Sequence, residues 1–304
     1  MASKILIIGG TGYIGRYLVE ASLKEGHPTF ILTRPTTTKD DEKTKLLDDF
    51  ESRGVELVYG DLDDYEKLLE AVKKVDVVIS TVSGKSAAAQ DKLIEAIKEA
   101  GNVKRFLPSE FGLDVDHGIL DGPVDPAKSI FEGKAKIRRK IEAENIPHTL
   151  VVCNGFAKYF LPKIGLMKTE KEIIILGNGN VKVVFVKEED IALITIKTVD
   201  DPRTLNKALI FRPPGNTMSF NEVVSIWESK IGKTFDRIYV TDEEALKEIE
   251  DSPGKNIMSS ISYSTFIKGS ATSFIIEPSF GVEASELYPD VNITTIEKYL
   301  DEYV

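Results

Sequence analysis

The chain has 304 residues, 39 Lys and Arg against 49 Asp and Glu, a formal net charge of −10 and one cysteine. That length fits one large α/β domain or two domains sharing a cleft, and the acidic balance argues against a nucleic-acid binder. Cys153 alone makes no internal disulfide, and no apolar run approaches the roughly 20 residues of a membrane span.

The N-terminus runs straight into a strand and a glycine loop, leaving no room for a cleavable signal, so a cytoplasmic protein is expected. In chain order, a strand is predicted over 4–10, a helix over 12–25 stopped by Gly26, and a strand over 29–34. The polar stretch 36–49 reads as a surface loop running into a helix. A strand over 55–61 and a helix over 64–75, with Asp63 or Asp64 at its start, come next. Then follow a strand over 76–82, a helix over 86–100 stopped by Gly101, and a strand over 104–110. A charged amphipathic helix over 128–144 leads to a sixth strand over 148–154. This alternation predicts a parallel sheet with helices on both faces.

Beyond Asn154 the pattern becomes irregular. Gly177-Asn178-Gly179-Asn180 is a turn, with strand candidates at 182–186 and 208–212. Helices are predicted over 219–231, 241–250 (capped by Thr241 or Asp242) and 294–303. The fold class expected is α/β: a Rossmann-type doubly wound parallel sheet with a smaller interleaved C-terminal lobe. Residues 1–154 form the sheet domain, with strands returning from about 182–213, and 155–304 mainly a substrate-binding lobe.

Gly9-Gly10-Thr11-Gly12-Tyr13-Ile14-Gly15 closes the first strand and opens the first helix. Gly9 permits the tight turn, Gly12 lets a pyrophosphate approach the helix N-terminus, and Gly15 lets helix and sheet pack closely. The second strand ends Leu32-Thr33-Arg34, with no carboxylate to bind a ribose 2′-hydroxyl. Arg34, helped by Lys43, instead suits a 2′-phosphate, which selects NADPH over NADH.

Short-chain dehydrogenases carry Tyr-x-x-x-Lys on the helix before the sixth strand. Tyr159 and Lys163 have that spacing but follow the sixth strand, with Pro162 between them. On the helix in the expected place stands Lys134, with Ile130 where the tyrosine would be. The acid–base role then falls to Lys134, or Lys134 is one cation of a solvated basic face. Arg138, one turn on, reaches the cofactor or depresses Lys134. His27, His117 and His148 are scattered, so no metal site is expected. Pro108-Ser109-Glu110-Phe111-Gly112 ends the fifth strand, where loops of such sheets face the cofactor.

Several segments carry a family resemblance: Gly9 to Gly15, Lys104-Arg105-Phe106-Leu107-Pro108-Ser109-Glu110-Phe111-Gly112, Lys134-Ala135-Lys136-Ile137-Arg138-Arg139 and Asp200-Asp201-Pro202-Arg203. On these motifs the chain resembles the plant isoflavone reductase-like group of atypical, NmrA-like short-chain dehydrogenases. The group includes phenylcoumaran benzylic ether reductases, pinoresinol–lariciresinol reductases, isoflavone reductases and eugenol synthases. The resemblance implies NADPH-dependent reduction of a phenylpropanoid-derived aromatic substrate. It makes Lys134 the general base that takes a phenolic proton, so that a benzylic group departs through a quinone-methide-like intermediate. It places cofactor contacts at Gly9, Gly10, Thr11, Gly12, Tyr13, Ile14, Gly15, Arg34, Lys43, Arg138, Asn154 and Phe156. Tyr159 and Phe160 would be pocket walls.

The sequence departs from the group's pattern at Gly155, where many members have cysteine, and over 162–172, which is shorter and lacks a Pro-Pro pair. Tyr263 stands where many members carry a histidine near the substrate. A phenylcoumaran is the first substrate expected, with isoflavone reduction or eugenol-type reductive displacement as alternatives. A non-catalytic NADP(H) redox sensor is the reading from another class. A homodimer is compatible with the sequence.

Overall fold

A computed structural model describes residues 2–34, 40–82, 90–119, 122–161, 171–251 and 257–304. The first five strands are β1 (Ile5–Ile8), β2 (Thr29–Thr33), β3 (Glu56–Tyr59), β4 (Val77–Ser80) and β5 (Arg105–Leu107). They form a sheet in the order β3-β2-β1-β4-β5. All four pairings are parallel. Every residue of β1 is buried, as expected for a strand covered on both faces. Its side chains divide by alternation: Ile5 and Ile7 join one core, Leu6 and Ile8 the other.

The connecting helices are α1 (Gly15–Lys24), α2 (Asp41–Ser52), α3 (Tyr65–Lys73) and α4 (Gln90–Ala100). Leu18 and Val19 of α1 and Phe50 of α2 pack on the Ile5 face. Leu68 of α3 and Leu93 and Ile94 of α4 pack on the other. Of the two carboxylates expected at the start of α3, Asp64 is the cap, accepting from the Lys67 amide at 3.3 Å. The expected first turn of α4 at residues 86–89, and 36–39 of the polar loop, lie outside the described residues.

Next come α5 (Ala127–Ala143) and β6 (Thr149–Val152). A bridge between Phe106 and His148 joins β6 to β5. Beyond β6 lie β7 (Gly155–Phe156), α6 (Ala157–Phe160), β8 (Glu172–Leu176), β9 (Lys182–Val186), α7 (Glu188–Thr198) and β10 (Lys207–Ile210). Of the two strands expected to return from 182–213, β10 pairs in parallel with β6. β9 pairs instead with β7 and with β11 (Thr217–Ser219), in a small separate sheet.

The rest of the chain is α8 (Phe220–Ile231), β12 (Asp236–Val240), α9 (Asp242–Asp251), α10 (Ile257–Ser262), β13 (Gly281–Glu283), α11 (Ala284–Leu287) and α12 (Ile296–Leu300). A π-helical turn, Tyr263–Ile267, follows α10 directly. β13 pairs with β10 and ends the large sheet, while β12 pairs with β8. α8 begins with a capping box between Ser219 and Glu222. α9 is capped by Thr241, whose hydroxyl accepts from the Glu244 amide.

The two halves share a core. Val151 and Cys153, Val184 and Val186, and Ile191, Ala192, Ile194 and Ile196 of α7 belong to the same apolar cluster as Ile5 and Leu18. No helix among the described residues is long and apolar enough to cross a membrane.

Candidate active site

The glycine loop has the geometry its sequence demands. Gly9 adopts φ +85°, and a Cβ there would lie 2.6 Å from the Thr81 hydroxyl. A Cβ on Gly15 would lie 2.0 Å from the Gly9 carbonyl oxygen, so no larger residue lets α1 start this close to β1. Ile14 occupies the N-cap of α1 and makes no side-chain cap bond, and the first turn carries no acidic residue. The positive end of this helix is therefore neutralised by no capping side chain or first-turn carboxylate.

Arg34 follows the last residue of β2, with its side chain 67% exposed and a loose 3.9 Å ion pair to Asp61. Lys43 sits in the first turn of α2, where its ammonium pairs with the N-cap Asp40 at 2.6 Å.

Lys134 lies in the middle of α5, half-buried, and its ammonium donates to the backbone carbonyl of Glu110. Burial pushes its pKa below the ordinary lysine value, the Glu110 carboxylate opposes that shift, and Arg138 adds to it. Arg138 is buried and held by three carboxylates. It donates to Glu110 through Nε at 3.1 Å and Nη2 at 2.7 Å, and to Asp114 and Asp116 through Nη1 at 3.1 and 3.2 Å. Its donors thus grip the loop after β5. Ile130, one turn before Lys134, offers no phenol.

Asn154 has φ +57° and serves the same loop: its amide donates to the Gly112 carbonyl at 2.9 Å, and its side chain to the Phe211 carbonyl at 2.7 Å. Cys153 beside it is fully buried, and burial pushes its thiol far above the usual range.

An aromatic cluster links the glycine loop to the second half of the chain. Tyr13 packs against Phe156 at 5.4 Å and Tyr159 at 5.9 Å between ring centroids. The Tyr13 hydroxyl donates to Glu188, a fully buried carboxylate that also accepts the Lys158 amide at 3.2 Å. Burial raises the Glu188 carboxyl and the Tyr13 phenol together.

Tyr159, Phe160, Leu176, Phe220, Met258, Ser262 and Phe266 line a cavity of about 160 Å³. Tyr263 is not among them. It is 3% exposed, packs with Ala245 and Ile249 of α9, and donates its hydroxyl to Asp242 at 2.6 Å. Its neighbour Ser262, the last residue of α10, is the one that faces the cavity.

The structure therefore gathers Lys134, Arg138 and Asn154 around the loop after β5, and Tyr13, Phe156 and Tyr159 into one ring cluster. Arg34 and Lys43 lie at the end of β2 and the start of α2. Sequence reasoning singled out residues 108–112 but gave Glu110 no part of its own; a carboxylate in the loop just past a buried strand was the available signal. It missed Glu188, whose only signal is an acidic residue following an apolar strand. Among the described residues no His, Cys, Asp and Glu cluster could hold a metal ion.

A family model described as NmrA-like family matches residues 1–300. The chain belongs to the NmrA-like family. It is 58% identical over 308 residues to eugenol synthase 2 of Clarkia breweri, covering 99% of each chain. It is 57% identical over 307 residues to phenylcoumaran benzylic ether reductase 1 of Arabidopsis thaliana, again covering 99% of each. A solved structure of AtPrR2 with NADP+ and (+)pinoresinol superposes with a TM-score of 0.93 at 41% identity, covering 100% of this chain and 99% of the other. The resemblance to isoflavone reductase-like proteins drawn from the motifs is thereby borne out.

Proposed function

We propose that this NmrA-like protein is an NADPH-dependent reductase of a phenylpropanoid-derived aromatic substrate, with Lys134 as its general base. The oxidoreductase class and the NADP(H) cofactor agree with the reductases it matches along its whole length and with the related NADP+ complex. The residues present suit such a cofactor. The uncapped N-terminus of α1 and the turn at Gly9 favour a pyrophosphate, and Arg34 is free enough to meet a 2′-phosphate. Lys43, already paired with Asp40, is the weaker cation of the two. Arg138 we assign to the framework, since Glu110, Asp114 and Asp116 already occupy its guanidinium.

The bound cofactor supplies hydride. Lys134 does the proton work. Its amine form is favoured by burial, so the fraction able to accept a proton rises as pH climbs through a value below that of an exposed lysine. Taking the proton of a substrate phenol pushes electron density toward the ring and eases departure of a benzylic substituent. Ile130 leaves no competing phenolic donor, which agrees with a reaction begun by deprotonation. The Lys134 ammonium held against the Glu110 carbonyl carries this reading, because its burial there favours the amine form that a base needs.

A phenylcoumaran is our first substrate, reduced at its benzylic ether. Eugenol-type reductive displacement is a second reading, favoured by the 58% identity to eugenol synthase 2. The test is NADPH consumption with a phenylcoumaran, coniferyl acetate, pinoresinol and an isoflavone, with product identification. Ring-opened product from the phenylcoumaran is expected. Turnover of coniferyl acetate alone would establish the second reading, and silence across the panel with NADPH bound would sink both.

A further inference from the structure

We propose that Glu110 is a positioning residue for Lys134, its backbone carbonyl seating the lysine Nζ and its carboxylate, braced by Arg138, setting the charge that the lysine faces. The inference rests on the reading of Lys134 as the base and adds the device that holds it.

The geometry is built for rigidity. Glu110 is 2% exposed, and its two carboxylate oxygens receive Nε and Nη2 of Arg138, itself 2% exposed. This is a two-pronged buried ion pair, whose planar fork fixes orientation as well as distance. The loop that carries Glu110 is pinned again two residues on, where the Gly112 carbonyl accepts the Asn154 amide at 2.9 Å. Between these anchors Phe111 has φ +25°, a backbone conformation that a phenylalanine adopts only when its surroundings impose it. The carbonyl of Glu110 therefore has little freedom, and neither does the ammonium donated to it.

The charges around Lys134 are few. Glu110 and Cys153 face it from the loop and from the end of β6, and Arg138 lies one turn along α5. α10, which packs on α5, carries no charged side chain. α4 packs farther along, where its Asp91 and Glu95 pair with Lys140. Asp114 and Asp116 are engaged by Arg138. Among the described residues Glu110, whose carbonyl meets the Lys134 Nζ, is thus the carboxylate whose charge acts on the lysine.

The test is competitive labelling of the full-length protein with trace acetic anhydride across a pH series, read by mass spectrometry at Lys134 against exposed Lys136. Glu110→Gln keeps the shape and the carbonyl but removes the charge that favours the ammonium. At one pH below the titration midpoint, Lys134 should label roughly tenfold faster than in the wild type. Arg138→Lys keeps the positive charge while loosening the grip, and its Lys134 should label close to the wild-type rate. An unchanged or slower rate in Glu110→Gln overturns the proposal. Equal acceleration in both variants also overturns it, since loosening alone would then explain the effect. The labelling needs no substrate, so it stands or falls apart from the turnover panel.

Discussion

Arg34 is the residue to which the proposed function assigns cofactor choice. Its guanidinium leaves the end of β2 largely exposed, and Asp61 holds it only at 3.9 Å. A 2′-phosphate would offer a far better partner, and charge-assisted hydrogen bonds of that kind are worth about 1.5–3 kcal/mol. Arg34→Ala should therefore weaken NADPH about 10- to 100-fold and leave NADH nearly unchanged, as read by fluorescence titration of each cofactor. Equal losses for both would take Arg34 out of the 2′-phosphate site. Tyr263 teaches a different lesson at this scale. The family resemblance sets it where many members carry a histidine near the substrate, while its hydroxyl bonds to Asp242 and its ring lies against Ala245 and Ile249. A side chain's direction depends on the local helix geometry, and the π-helical turn after Ser262 gives no signature in residue type.

At the scale of elements, α8 shows how local chemistry sets a boundary. Ser219 accepts the Glu222 amide, and the Glu222 carboxylate accepts the Ser219 amide at 2.6 Å. Ser219→Ala should lower stability by about 1 kcal/mol with activity retained, measured as a fall in melting temperature. An unchanged melting temperature would mean that packing alone fixes this helix start. β1 to β6 and their helices were legible because each strand is a short apolar run between helices of clear period. α7 was not, because most of its residues are buried and only Glu189, Leu193 and Lys197 are not, a stripe too narrow to mark a helical period. β7, β11 and β13 span only two or three residues, too few for alternation to show. Lys134 was legible by its place on the helix before β6. Glu188 was not, because its partners Tyr13 and Lys158 are far away in sequence.

Over the whole molecule, the sheet and the second half are welded by one apolar cluster that runs from Ile5 to Val186 and Ile196. That continuity lets polar ties cross it. Glu188 joins the glycine loop, through Tyr13, to the start of α6, whose Tyr159 lines the 160 Å³ cavity. The Glu110 loop joins α5, through Arg138 and Lys134, to the end of β6, through Asn154. The glycine loop, Lys134 and the cavity thus belong to one packed body. The most direct test of the account is Lys134→Ala, assayed for NADPH binding by fluorescence and for product formation in single turnover. NADPH affinity should stay close to wild type and the rate should fall by about 100-fold or more, the usual contribution of a general base. Product formation at the wild-type rate, with NADPH bound, would contradict it.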